Sequence, residues 1–319
     1  MRGLVVGKFA PLHKGHQFLL ETALRECESV TVLVYSNPDF PAMPSQIRAA
    51  WLRALYPRLE VFVPDDPPPN ESGDLEQREF VRRWLLARGI EVDVVFTSEG
   101  YGEGFAAHLG VTHKLVDLER RSVAVSGTQI RADIHGSRHH LEPLVYAHFV
   151  QKVVFLGAES TGKSTLTASM ALEFDTAFVP EVGREVWESK NGVLELSDYV
   201  DIAERHRDLE ETALLESTRY LFVDTNAITT MFLGYAYEGD GLPELTQLAR
   251  DAQTRYQHVF LCDTDFAFVQ DGWRDNDFWR KRAQGLIKYD LTVRGLPYTL
   301  VSGDLETRVR QVKSALESH

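Results

Sequence analysis

Cysteine is nearly missing from this chain. Two occur in 319 residues, Cys27 and Cys262, far apart and outside any C-x-x-C spacing. That excludes a disulfide framework and a zinc knuckle, and it fits buried thiols in a reducing cytoplasm. Positive charge is also short: 34 Lys and Arg stand against 47 Asp and Glu, a formal net charge of −13. A nucleic-acid-binding surface carries the opposite balance, so no nucleic-acid partner is expected, although local basic pockets for ATP remain compatible with it. No apolar run approaches the roughly 18 residues a spanning helix requires, so direct membrane insertion is not expected. The N-terminus enters a strand at once (Gly3 to Val6), too short for a signal-peptide core. What remains is the composition of a cytoplasmic globular protein, 44% apolar and 25% charged, with room for two domains.

The stretch around which the rest is organised is Gly157-Ala158-Glu159-Ser160-Thr161-Gly162-Lys163-Ser164-Thr165. It follows the apolar run Val153 to Leu156 and opens an amphipathic segment reaching about Phe174, which is the strand–loop–helix setting that a G-x-x-x-x-G-K-[ST] phosphate loop needs. Gly157 and Gly162 let the backbone curl so that N–H groups, including those of Ser160, Thr161 and Thr165, face an anion. Lys163 reaches the β- and γ-phosphates, and Ser164 offers a hydroxyl to Mg²⁺. ATP and Mg²⁺ are therefore the expected cofactors.

A second nucleotide signature opens the chain. The first strand runs into Gly7-Lys8-Phe9-Ala10-Pro11-Leu12-His13-Lys14-Gly15-His16, followed by a helical stretch from Gln17 to Leu24. Gly7 permits a sharp turn and Gly15 a close backbone approach to a ligand, with Phe9 between them. His13 and His16 fall at the loop–helix junction. They can also be read as a metal pair, but no Cys or carboxylate accompanies them at ligand spacing. Downstream, Ser126-Gly127-Thr128-Gln129-Ile130-Arg131 brings hydroxyls and a cationic fork. Together these two segments resemble the nucleotidyltransferase superfamily, with its H-x-G-H loop and its I-S-x-T-x-x-R segment. The resemblance implies that the second segment clasps ATP phosphates. Between them, strand-like runs (Val30–Tyr35, Glu60–Val63, Val92–Thr97) alternate with helical ones (Gln46–Leu55, Glu76–Ala87), predicting a parallel sheet with helices on both faces. Arg48 reads either as a substrate-phosphate contact or as a solvated helix charge, and Asp117 and Tyr101 are left open. The expected reaction is adenylyl transfer, in which positioning and charge stabilisation carry the catalysis and Lys8, His13, His16 and Arg131 serve the transition-state oxygens.

In the second half, a strand at Ala177–Val179 leads to Pro180-Glu181-Val182-Gly183-Arg184-Glu185, which puts carboxylates where a general base for an acceptor hydroxyl belongs. Ser197 is expected to cap a long helix running to Glu216. The apolar run Tyr220 to Val223 ends on Asp224, placed to reach Mg²⁺ or substrate. The strand His258–Cys262 leads into a loop containing Phe268, Asp271 and Arg274, the last a candidate lid arginine with Arg280 and Arg282 as alternatives. A nucleotidyltransferase domain joined to this series of motifs resembles the bifunctional NadR-type proteins along essentially the whole chain. The resemblance implies a Rossmann-like nucleotidyltransferase domain over residues 1–148 and a phosphate-loop kinase domain over 149–319, both α/β. It also implies phosphorylation of nicotinamide riboside to NMN and adenylylation of NMN to NAD. The partners it implies are small molecules (nicotinamide riboside, NMN and ATP, with NAD as product), and a homo-oligomer is compatible with it. Substrate contacts carried over are Glu181, Arg184, Asp224, Phe268 and Asp271, with Ser164 and Asp224 toward the metal.

Three positions depart from the family pattern: Val182 where relatives often have Tyr, Asn226 where many have Asp, and Phe268 where Trp commonly lies over the pyridine ring. Phe268 still stacks on a cationic ring, less strongly than Trp, while Asn226 removes a negative charge near the metal. Some relatives carry an N-terminal helix-turn-helix that makes them repressors. This chain starts at the first strand, so that role is not expected. Two alternatives stay open, an active kinase whose first domain only senses nucleotide or docks a partner, and a pair of active sites with a different acceptor.

Overall fold

The alternation of apolar and amphipathic stretches resolves, in a computed structural model describing residues 1–116, 125–265, 267–268 and 276–318, into two parallel sheets. The chain divides into one unit over Met1–His148 and another over Phe149–His319.

In the first unit the strands are β1 (Arg2–Gly7), β2 (Ser29–Val34), β3 (Leu59–Phe62), β4 (Val94–Thr97) and β5 (Thr112–Leu115). All pair in parallel, in the order β3-β2-β1-β4-β5. Parallel strands are covered on both faces, which is why β1 and β2 read as continuous aliphatic runs rather than alternating ones. Leu4, Leu33 and Val95 pack against Val81, Trp84 and Leu85 of the helix Asp74–Arg88 and Phe105 of the helix Gly102–Leu109. Four of these strands match the expected runs to within two residues. β5 lies outside every expected run, because Thr-His-Lys-Leu at a sheet edge is largely exposed and carries no apolar signal.

The second unit holds β6 (Gln151–Leu156), β7 (Phe178–Val179), β8 (Tyr220–Asp224), β9 (His258–Cys262) and β10 (Thr299–Val301). Its parallel sheet has the order β10-β9-β6-β8-β7. Val153 and Phe155 share a core with Leu166 and Met170 of the helix Lys163–Glu173 and with Val312 and Leu316 of the helix Leu305–Glu317. In each sheet the opening strand is central and its neighbours belong to connections that diverge, so a crevice forms at its carboxyl end. That is where each glycine-bearing loop lies.

One helix start differs from expectation. The long helix runs Leu196–Leu214 and is capped by Glu195, not by Ser197. Glu195 and Asp198 form a reciprocal capping box, with the Glu195 N–H donating to the Asp198 carboxylate at 2.8 Å. A carboxylate in both roles satisfies two orphan donors, so the helix begins one residue before the serine.

Candidate active sites

In the first unit, the loop after β1 and the short helix Gly127–Ala132 face one cavity of about 570 Å³. It is lined by Gly7, Lys8, Phe9, His13, Gly15 and His16 from one side and by Ser126, Thr128 and Arg131 from the other. His13 is the N-cap of the helix Lys14–Glu26, its Nδ1 accepting from the Gly15 N–H at 3.1 Å. In the neutral ring that leaves the proton on Nε2. The His16 ring stacks on His13 at 3.8 Å between centroids and lies 5.0 Å from the buried Phe9 ring. The two imidazoles thus hold each other in register, a geometry suited to anion oxygens.

Ser126 caps its helix in a box with Gln129, so its hydroxyl serves the backbone as well as the cavity. Arg131 Nη1 donates to the Ala10 carbonyl at 2.5 Å and Nη2 to the Thr128 hydroxyl at 3.0 Å. This bond ties the second motif to the first. Gly127 makes the approach possible, since a Cβ there would lie 2.9 Å from the Ala10 oxygen.

Arg48 takes neither role expected of it. It is wholly buried, and its guanidinium donates to the Met43 carbonyl at 2.9 Å, the Lys8 carbonyl, the Asp39 carboxylate and the hydroxyls of Ser36 and Ser45. It knots the loop after β2 to the loop after β1. A charge this deep is tolerated because every direction of the fork meets an acceptor.

In the second unit, Ser160, Thr161, Gly162, Lys163, Ser164 and Thr165 line a cavity of about 680 Å³ together with Glu181, Arg184 and Asp224. Gly157 lines a small adjoining recess with Lys163, Glu181 and Phe268. At φ +144, a Cβ on Gly157 would also lie 2.9 Å from the Cys262 carbonyl, so only glycine suits the position. Lys163 Nζ donates to the Ala158 carbonyl at 3.0 Å. Asp224 is 1% exposed, and neither carboxylate oxygen has a hydrogen-bond partner. Burial raises its carboxyl above the usual range; Lys163 opposes this, Glu181 reinforces it, and Ser164 and His206 pull back down. A carboxylate so placed has lone pairs that a cation or a hydroxyl can use. Thr225, directly after it, is held at φ +68, a strained conformation for a β-branched residue.

Asn226 is a helix cap. Its Oδ1 accepts from the N–H groups of Ile228 at 3.0 Å and Thr229 at 3.4 Å, opening the helix Ala227–Tyr237. Arg280 donates to the Ser160 carbonyl at 3.2 Å and pairs with Asp277, and its guanidinium lies 5.4 Å from the Phe268 ring centroid. Asp117, Asp271 and Arg274 lie outside the described residues.

Sequence reasoning missed Thr229, whose buried hydroxyl has no partner and lines the recess, and Trp279 beside it. It also missed Gln284, which accepts from the Ala158 N–H at 2.9 Å and donates to the Cys262 carbonyl at 2.8 Å. None of these carries a motif. Among the described residues no group of three or more His, Cys, Asp or Glu is placed to hold a metal, and no helix is long and apolar enough to cross a membrane.

The two crevices define a class: a Rossmann-like nucleotidyltransferase unit followed by a phosphate-loop unit of kinase type. Comparison with known proteins agrees, a cytidylyltransferase-like family model matching residues 4–133 and an AAA domain model residues 152–308. The trifunctional NAD biosynthesis/regulator protein NadR of Salmonella typhimurium is 30% identical over 308 residues, covering 89% of this chain and 75% of that protein. Its namesake from Escherichia coli is 29% identical over 310 residues with the same coverage. The chain belongs to the NadR family. A NadR protein solved in complex with NR shares the fold with a TM-score of 0.75 at 22% identity, covering 99% of this chain and 95% of that one. A second, solved with NAD and AMP-PNP, gives 0.73 at the same identity and coverage.

Proposed function

We propose that this chain makes NAD in two steps, phosphorylating nicotinamide riboside to NMN in the second unit and adenylylating NMN in the first. What supports the reading most is that each crevice collects, from segments distant in sequence, the donors that its half-reaction needs. The NAD-biosynthetic relatives and the riboside- and NAD-bound NadR structures support the choice of acceptor.

In the second unit the riboside 5′-hydroxyl attacks the γ-phosphorus of ATP and ADP leaves. The loop N–H groups and Lys163 stabilise charge on the transferring group. Asp224 and Glu181 stand on the acceptor side, and Glu181, the carboxylate not assigned to the metal, accepts the hydroxyl proton. The Asp224 carboxylate without a partner and the exposed Ser164 hydroxyl fit a Mg²⁺ ion. Bound there, Mg²⁺ would neutralise phosphate charge. Arg184 and Phe268 complete the acceptor side, and Asp271 and Arg274 are assigned to substrate and ATP on the motif alone.

In the first unit a phosphate oxygen of NMN attacks the α-phosphorus of ATP, a new P–O bond forms, and pyrophosphate carries away the bonding pair. His13, His16, Lys8 and Arg131 surround the phosphate oxygens, and no protein nucleophile is needed. Such a reaction belongs in the cytoplasm, where ATP is available.

Supplying each half-reaction separately tests the reading. Riboside with ATP and Mg²⁺ should release ADP, and NMN with ATP and Mg²⁺ should release pyrophosphate and yield NAD. Pyrophosphate release without NAD from NMN, or ADP release only with some other nucleoside, would contradict the assignment of acceptor.

A further inference from the structure

A phosphate loop turns its N–H groups toward one side, so its carbonyls face away and need donors of their own. The Ala158 carbonyl is served locally by the Thr161 hydroxyl at 2.7 Å and by Lys163. The Thr161 carbonyl accepts from Arg308 Nη1 at 2.7 Å, a residue 147 positions away. The same guanidinium sends Nε to the Gly303 carbonyl at 2.9 Å and Nη2 to the Asp263 carbonyl at 3.1 Å, and it pairs with the Asp265 carboxylate. It is 3% exposed. Arg308 lies in the first turn of the helix Leu305–Glu317, whose Val312 and Leu316 share a core with Leu166 and Met170 of the phosphate-loop helix. The two helices are therefore fixed relative to each other before the arginine reaches the loop. A planar fork serves three carbonyls lying in different directions; an ammonium on a single stem does not.

We infer that Arg308 is a positioning residue for the phosphate loop. It holds the Thr161 peptide in the orientation that presents the loop's N–H groups to a nucleotide polyphosphate, and it locks that orientation to the ends of β9 and β10. Asp265 neutralises the buried charge, so the effect acts through peptide orientation rather than through added field. The inference rests on the reading of this unit as an ATP-dependent kinase, but only for the identity of the ligand.

Calorimetric titration with AMP-PNP and Mg²⁺ tests it, the Lys163→Ala variant identifying which binding event belongs to the loop. In Arg308→Lys the dissociation constant of that event should rise about tenfold. KM for ATP in riboside phosphorylation should rise by the same factor, with KM for riboside and adenylylation of NMN unchanged. Arg308→Ala should weaken binding further and be partly restored by millimolar guanidinium ion. If it fails to fold, Arg308→Lys alone decides. A dissociation constant within twofold of wild type in folded Arg308→Lys overturns the inference, as does an equal rise in both KM values. Wild type that binds AMP-PNP at the Lys163-dependent site but phosphorylates no riboside contradicts the proposed acceptor and leaves Arg308 to be judged on binding. Wild type with no such site contradicts both.

Discussion

A methyl group is enough to test the first crevice. Gly127→Ala would put a carbon 2.9 Å from the Ala10 carbonyl, against backbone that cannot swing aside. The start of the Gly127–Ala132 helix must move, and Arg131 moves with it. NMN adenylylation should fall about tenfold or more, ~1.4 kcal/mol of transition-state stabilisation, with riboside phosphorylation unchanged. Steady-state rates of both half-reactions on one preparation check this. In the other crevice, Lys163→Ala removes the side chain assigned to the β- and γ-phosphates and should lower phosphorylation by roughly 10²–10³-fold. At this scale the sequence was most legible where a motif fixes both residue type and spacing, as for His13, His16 and Lys163. It was least legible at Arg48 and Arg308, because their partners are main-chain carbonyls and carbonyls leave no trace in a sequence.

Elements carry the next level of control, and the helix Leu196–Leu214 shows how. Its Glu210, 1% exposed, accepts from Lys152 at 3.0 Å, Arg255 at 3.0 Å and the Tyr256 hydroxyl at 2.6 Å, with His206 at 3.5 Å. Burial alone would raise the Glu210 carboxyl, but His206, Lys152, Tyr256 and Arg255 outweigh it and hold it down to about 2, against an ordinary 4.5. The folded state therefore binds fewer protons than the unfolded chain between those values. Stability from this group is present above about pH 4.5 and is lost as pH falls toward 2, on the order of 3 kcal/mol in all. Glu210→Gln should lower stability at neutral pH by about 3 kcal/mol, since it leaves Lys152 and Arg255 less well compensated, and should flatten the acid limb of a pH–denaturation series. Asn226→Ala should cost about 1 kcal/mol through the lost cap of the Ala227–Tyr237 helix, measurable by denaturant unfolding.

Strands with buried aliphatic runs were readable in advance because burial on both faces imposes the run. The edge strand β5 and the cap at Glu195 were not. An exposed edge has no such constraint, and a glutamate in a serine's place is a less common solution to the same orphan N–H groups.

Taken whole, the chain builds the same device twice: a parallel sheet with its first strand in the middle, and a glycine-bearing loop at that strand's carboxyl end. The α/β class and the phosphate-binding loops were legible because each motif sits between an apolar run and an amphipathic one. The recess beside the second loop was not, since Thr229 and Trp279 come to line it only through the fold. Two devices with separate donors should fail separately. Lys163→Ala should still convert NMN to NAD, and His16→Ala should still convert riboside to NMN. Loss of both half-reactions from either change, in protein that melts as wild type does, would mean that the crevices do not work independently.

The most direct measurement supplies the wild-type chain with nicotinamide riboside, ATP and Mg²⁺ in one vessel and follows NMN, NAD, ADP and pyrophosphate over time. ADP and NMN should form first, then pyrophosphate and NAD, with NAD and pyrophosphate rising in equal amounts. NMN that accumulates with no NAD, or riboside left untouched, would contradict the account.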